Sequence, residues 1–595
     1  MATYNNGNQS FFQTHYRGAS QIASDTAGVT KPSEPPTQGS QYITSNFGQP
    51  WPADGQHALN VGGMPVTSDP FLFEKQQTFV REKIVERRVH PCGSGHFGYF
   101  EVTKDVSNLC KADFLSDVGK KTPLFLRFST VTFGREFPDL ARNPRGFAIK
   151  FYTGEGNYDI VGLNWPIFFV RDPMQGPDNI RSQSRNPNTF FIDYDATFDF
   201  LANVPESNHA GTMFFSDSGH PDGWNFHGYG NHTFTWVNSK GERNLIKYTF
   251  LKKGGQRFLD FATAQKLSGI DPDYSKRDMF NQIQKGIQGE GDFPEWTAYV
   301  QVMTPQQAEQ QSFDPFDVTK VWPRGDFPLQ EFGKIVLNKN PDHYFRDVEQ
   351  AAFSPSSLVP GIQSSPDMLL QWRMFFYRDA QMYRLGSNMH QIPVNCPFMA
   401  GNIAPQSYDG LMRLDNANQD TKNYQPNSYD KPSYSERSVE APFAVANNIV
   451  SRQSHHKNEG TDDEYTQARE LYNRVMDDTQ RDHLHSNTAT CMNAGVSKLV
   501  RTKYLAQVWN ISPDYVKGVV NYLTDKNVDL GEVEKLSKDA AMMGKTQKYK
   551  PKESAMHFLT GRDVPEGQAP YPSENTQGLA SNLAQRASAM MPSTS

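Results

Sequence analysis

The stretch "RMFFYRDAQMYR", Arg373–Arg384, decides how this chain is read. Arg373 and Tyr377 lie four residues apart, so on a helix they share a face. Arg384, seven residues further on, returns to nearly the same side. A phenol and two guanidiniums therefore point one way. A phenol ionises only near pH ~10, and a cation one turn away favours the ionised form, which can bind a metal. Such a face suits a large anionic ligand. The competing reading of the helix alone is an aromatic face packed in a core, its arginines reaching out to water.

The rest of the chain offers room for a buried ligand. Its 595 residues exceed what one core usually supplies, which predicts a large domain and at least one smaller one. With 59 basic against 65 acidic residues the net charge is −6, which argues against a role on nucleic acid or a membrane surface through bulk electrostatics. Aromatic residues are abundant, with 41 Phe, 25 Tyr and 8 Trp for an apolar interior or cofactor pocket. Cys92, Cys110, Cys396 and Cys491 are widely spaced with no CxxC pair, as expected in a reducing compartment. No apolar run is long enough to span a bilayer. The polar start is no signal peptide, and the end "PSTS" is not the Ser-Lys-Leu address. The expectation is an intracellular protein, cytoplasmic or peroxisomal.

Residues 1–65, rich in Ser, Gln, Asn, Gly and Pro, read as an N-terminal arm. "FLFEKQQTFVREKIVERRVH" reads as a helix running into an extended segment. "FGYFEVT", "LFLRFSTV", "GFAIKFYT", "YDIVGLNWPIFFV", "GTMFFSD", "HTFTWVN" and "NLIKYTFL" read as strands, short, apolar and separated by turn residues. "EWTAYVQVMT" and "GKIVLNKN" follow as later strands. An antiparallel barrel or sandwich is implied. The expected organisation is a domain over 66–389 that ends in the helix quoted above, a turn-rich wrapping connection over 390–440, an amphipathic helical domain over 441–535, and a low-complexity tail over 536–595.

Two further candidates carry chemistry. His90, between the arginines of "ERRVHPCGSG" and a Gly-rich turn, could act as a general acid or base, or be a satisfied structural histidine. In "FLRFSTV", Arg127 and Ser129 share one strand face, and Ser129 could fix the tautomer of a histidine. Together with "RNPRGFAIKFYT", "PIFFVRDP", "FDPFDVTKVWP", "QIPVNCPF" and the opening helix, these motifs resemble, in order from Phe71 to Tyr522, the small-subunit haem catalases. The resemblance implies an α+β fold: an eight-stranded antiparallel barrel with a wrapping segment and a C-terminal helical domain. It also implies a homo-oligomer, a tetramer or dimer. Tyr377 would be the axial ligand of the iron of haem b, a tyrosine ligand being the catalase type. His90 would move protons on hydrogen peroxide, with Ser129 orienting it. Arg373 would support the phenolate, Arg87, Arg127 and Arg384 would neutralise the propionates, Phe168 would be an aromatic contact on the His90 side, and Val89 and Val131 would line the access channel. The implied activity is decomposition of hydrogen peroxide to water and dioxygen, or its peroxidatic use.

Some residues depart from the family pattern. Leu163 stands where the family has an asparagine after the Gly of its "VGNN" motif, and Asn164, one residue later on a strand, points to the opposite face. Asn143 replaces an acidic residue that lines the main channel, and Gly176, Asn179 and Arg181 in "MQGPDNIRS" replace bulkier groups, which predicts a wider, more polar mouth. An alternative activity follows: a catalase-like enzyme of specialised metabolism, acting on an organic hydroperoxide or an alkaloid-like substrate. A haem-binding protein without turnover fits the retained His90–Ser129 pair less well. Ser218, Thr249 and Leu251 stand near positions where many catalases place basic contacts to NADPH, while His209 and Trp322 remain, so tight NADPH binding is not expected.

Overall fold

In the computed structural model, the described residues are 43–546, apart from positions 53, 85, 406, 416–421, 430–433, 436–437, 439, 444–449 and 453–462. The chain divides after residue 53, and the described residues that follow form one compact unit. The predicted arm before residue 43 and the end of the predicted tail lie outside the described residues.

The unit is built on a closed antiparallel barrel of eight strands. They are β1 (Gly93–Val102), β2 (Lys121–Thr130), β3 (Arg145–Thr153), β4 (Gly156–Leu163), the two-residue β5 (Gly228–Tyr229), β6 (Arg243–Lys252), β7 (Glu295–Met303) and β8 (Gln330–Lys339). Each pairs with the next, and β8 pairs back with β1. Alternation sorts the side chains: Leu124, Leu126 and Phe128 of β2, Phe147, Ile149 and Phe151 of β3, and Tyr158 and Ile160 of β4 enter a barrel core shared with Trp224, Trp236 and Trp296. Phe128 stacks on Trp224 with centroids 6.0 Å apart. Truncating such a ring to alanine costs about 3–5 kcal/mol.

The intervening residues, Arg127, Ser129, Gly146, Ala148, Val161 and Leu163, lie on the barrel's outer face, and that face is buried too. It is covered by α3 (Met368–Leu385), the helix of the opening stretch, and flanked by α1 (Pro70–Arg81) and α2 (Gln175–Ser182). Asp367 caps α3 by accepting from Leu370 N at 3.0 Å, and the chain leaves the helix at Gly386, whose φ of 93° is easily reached only by glycine. "GTMFFSD", expected as a strand, is the end of a helix over Asn208–Phe215. Phe214 and Phe215 pack there edge to face, and a short apolar run does not by itself tell strand from buried helix. The helical region continues past residue 535. A last helix, Leu530–Thr546, buries Val533, Ser537 and Ala540, and Ser537 O accepts from Asn510 of the helix Lys498–Ile511.

Candidate active site

The strand register assembles the site. Ser129, Gly146 and Leu163 are direct cross-strand partners, and Arg127, Ala148 and Val161 form the next rung. Side chains in one rung share a face. In a fold rich in large aromatics, Ser129, Gly146, Ala148 and Val161 keep this patch small beside Arg127, which leaves a cleft with about 380 Å³ of empty space. Its walls include His90, Ser129 and Gly146 on the barrel side and Tyr377 on α3, with Arg87, Arg127 and Phe353 around them.

His90 has φ +63°, a left-handed conformation unusual for a side chain of its size, held by His90 N donating to Val131 O (2.9 Å) and by Arg127 Nη1 donating to His90 O (2.8 Å). Its Nδ1 is 2.9 Å from Ser129 Oγ, so the serine fixes the ring and leaves Nε2 for other partners. Burial, and then the nearby guanidiniums of Arg127, Arg373 and Arg87, lower the imidazole to about 3, so the ring is neutral at physiological pH. Gly146 makes the pair possible, since a Cβ there would lie 2.3 Å from Ser129 Oγ and 2.5 Å from His90 Nδ1.

On the α3 side, Arg373 Nη2 donates to Tyr377 Oη at 2.8 Å, the i,i+4 contact read from the sequence. The sequence did not disclose what stands behind it. Arg373 Nη1 is 2.6 Å from His232 Nε2, and His232 Nδ1 is 2.6 Å from Asp367 Oδ2. A guanidinium only donates, so Nε2 accepts and Nδ1 carries the proton that Asp367 receives. The carboxylate that caps α3 thus anchors a buried relay to the tyrosine hydroxyl.

Arg87, Arg127 and Arg384 gather at one end of the cleft. Arg87 Nη2 donates to the carbonyls of Val348, Glu349 and Ala351, and Arg384 to those of Glu349 and Ala351. The buried Arg87 and Arg127 and the partly buried Arg384 face the single carboxylate of Glu349, whose Oε2 is 3.5 Å from Arg87 Nη1 and whose Oε1 also pairs with Arg135 at 3.6 Å. Burial and the other two arginines hold Arg87 well below its usual range, and Arg384 falls to about 10 from burial and the Arg127 charge. Arg87 Nη1 and Arg127 Nε are buried without a hydrogen bond among the described residues. The cluster is short of anions.

Comparison with known proteins decides the family. The model of the family "Catalase" matches residues 44–431, and that of "Catalase-related immune-responsive" matches 458–523. The chain belongs to the catalase family. It is 44% identical to a catalase of Methanosarcina barkeri over 501 residues, 84% of this chain and 96% of that protein. It is 43% identical to Catalase-2 of Caenorhabditis elegans, covering 82% of this chain and 96% of that one. The solved catalase A of Saccharomyces cerevisiae superposes with a TM-score of 0.70 at 36% identity, over 81% of this chain and 98% of that one. The chain is therefore a catalase-type oxidoreductase, and membership implies haem. The residues fit that group: small side chains floor the cleft, a phenol and an imidazole face it, and the underpaired arginines suit two carboxylates.

The structure places each departure from the catalase pattern. Leu163 shares the face of Gly146, whereas Asn164 turns away: its Oδ1 accepts from Arg145 N and its Nδ2 donates to Ser218 O. Asn143 is fully buried, accepting from Val131 N and Thr132 N and donating to Thr132 Oγ1, so it braces a turn within the fold. The wider mouth is not found at Gly176, where a Cβ would lie 2.7 Å from the ring of Trp372. Asn179 is buried and bonded to Gln183, and Arg181 pairs with Glu82. Phe168 does not line the cleft; its ring lies 5.7 Å from the Arg373 guanidinium. His209 Nδ1 bonds Thr319 O, Trp322 Nε1 donates to Pro315 O, and a buried cation missed in the sequence, Lys247, stands beside Thr249 and Trp322. No described helix is long and apolar enough to cross a membrane.

Proposed function

We propose that this chain decomposes hydrogen peroxide to water and dioxygen on haem b held between His90 and Tyr377. The observation that carries the reading is one cleft with a Ser129-oriented imidazole on one wall and an arginine-backed phenol on the other. Bound haem would supply the iron and the two-electron redox chemistry for cleaving the O–O bond. Tyr377 Oη would be its ligand, held by the hydrogen bond from Arg373, which His232 and Asp367 fix in turn. Arg87, Arg127 and Arg384 would pair with its carboxylates. A neutral His90 accepts a proton from one peroxide oxygen and returns it to the other, which leaves as water; a second peroxide gives up two electrons and two protons and leaves as dioxygen, so that two peroxides yield two waters and one dioxygen. Leu163, the cross-strand partner of Gly146, offers peroxide no amide. Nothing in the comparisons or at Gly176 favours a specialised organic substrate. The exposed Leu411, Met412, Leu414 and Tyr429 support assembly as a homo-oligomer, and the loss of basic groups at Ser218 and Leu251 supports weak NADPH binding.

The test is oxygen release per haem from the loaded protein, read beside its optical spectrum, in wild type and His90→Ala. Rapid release, a tyrosinate-type spectrum in both proteins and a loss of about 10²–10⁴-fold in the variant are expected. A wild type that binds haem with that spectrum yet releases little oxygen overturns the activity.

A further inference from the structure

A second cavity lies beside the haem cleft. It holds about 820 Å³ of empty space, part of it open to solvent, and the two spaces share the walls Phe353 and Gln381. Polar and apolar groups share its lining. Two cations line it, and they differ in their partners. Lys150 is spent on Asp159, its Nζ 2.7 and 3.0 Å from the two carboxylate oxygens. Arg378, half-buried and next in sequence to Tyr377, has no carboxylate within ion-pair reach among the described residues. Its Nε and Nη2 donate only to the hydroxyls of Ser356 (3.3 Å) and Ser357 (3.1 Å). The balance of Lys150, Asp159 and Arg378 leaves one positive charge on the wall, flanked by serine hydroxyls able to donate.

We infer that this cavity is a binding site for a small organic anion, a carboxylate or a phosphate ester, held by Arg378 with Ser356 and Ser357. A guanidinium in a fixed fork with hydroxyl neighbours matches an oxyanion, and forming a charge-assisted pair there requires no existing ion pair to break. The space exceeds what a bare ion needs, so the anion carries an organic body towards Leu358 and Pro397. Occupancy reports to the haem cleft through Gln381, whose Oε1 accepts from Arg384 Nε (3.1 Å) and Nη2 (2.7 Å). An occupant that pulls on Gln381 changes how Arg384 is held.

Titration calorimetry on the haem-loaded full-length protein tests this. Succinate and glycerol phosphate are the probes, with sodium chloride at matched ionic strength as control. Saturable binding of one probe per chain is expected, absent with chloride, at least 10-fold weaker in Arg378→Gln and partly retained in Arg378→Lys. A probe-dependent shift of the haem absorption band, lost in Arg378→Gln, is expected to accompany it, while oxygen release without probe stays unchanged in both variants. Which probe binds separates the carboxylate from the phosphate source. No saturable heat with either probe, or binding unchanged in Arg378→Gln, overturns the site.

Discussion

Replacing Gly146 with alanine perturbs the His90 side of the cleft and little else. The backbone tolerates the change, since Gly146 sits in a regular strand between Ser129 and Leu163 and not at positive φ. The new methyl would stand 2.3 Å from Ser129 Oγ and 2.5 Å from His90 Nδ1, where an ordinary contact begins at 3.4 Å, so each of the two must retreat by about 1 Å. His90 is tethered at both its N–H and its carbonyl, so the movement falls on the imidazole rotamer and on the serine side chain. Misplacing a catalytic group by 1 Å costs roughly 10²-fold in rate, equivalent to about 2.7 kcal/mol of barrier. Overpacking removes a further ~1–3 kcal/mol of stability. Oxygen release per bound haem is expected to fall about 100-fold, with haem loading and the tyrosinate spectrum intact, because Tyr377, Arg373 and the arginine cluster lie on other elements. Gly146→Ala combined with Ser129→Ala relieves the 2.3 Å contact but keeps the one to His90, and stays as slow if the imidazole is what moves. A Gly146→Ala protein that keeps half the wild-type rate per haem refutes the reasoning.

Three other outcomes are expected. Leu163→Asn places an amide on the rung of Gly146 and raises oxygen release by about 2- to 10-fold, the worth of one net hydrogen bond; an unchanged or lower rate per haem shows that the position does not face peroxide. Arg373→Leu strips Tyr377 of its cation and leaves His232 Nε2 without a donor in a buried site, so haem affinity and the tyrosinate band fall and stability drops by about 3–5 kcal/mol, measured by spectral titration and denaturant unfolding. Burial lowers His90 to about 3 and His96 and His209 to about 4, so between pH ~6.5 and 4 the unfolded chain takes up protons that the folded chain refuses. Stability therefore falls with pH, by about 1.4 kcal/mol per unit for each histidine, and a denaturation midpoint that is flat from pH 7 to 5 contradicts this.

What could be read from residues alone was what depends on short spacing. Most of the barrel strands announced themselves as short apolar runs set off by turn residues, and Arg373 found Tyr377 because four residues make one helical turn. "GTMFFSD" failed because a short apolar run carries neither period clearly. The last helix, Leu530–Thr546, was hidden by the polar surface that surrounds its few buried residues. The relay of Asp367 and His232 behind Arg373 joins residues 135 and 141 positions apart, and no local pattern encodes that meeting. Gly146 is subtler: the sequence shows a glycine in a strand, but only the register with Ser129 shows what its missing side chain makes room for.

The misread mouth follows from the same physics. A small residue in place of a large one reads as opened space only if its neighbours stay as they were. Close-packed interiors seldom leave such a gap, because an unfilled one forfeits contact energy on every wall. At Gly176 the volume is taken up from a different element by Trp372, one residue before Arg373, whose ring also stacks on Phe376 at 4.8 Å. The glycine on α2 and the tryptophan on α3, nearly two hundred residues apart, therefore form one exchange of volume: each is intelligible only with the other. Its effect is to clamp α3, the helix that carries Arg373 and Tyr377, against the outer layer of the fold. Taken together the two residues tighten the seat of the phenol instead of widening a path to it, and the departures from the family pattern then favour a held ligand over a larger substrate.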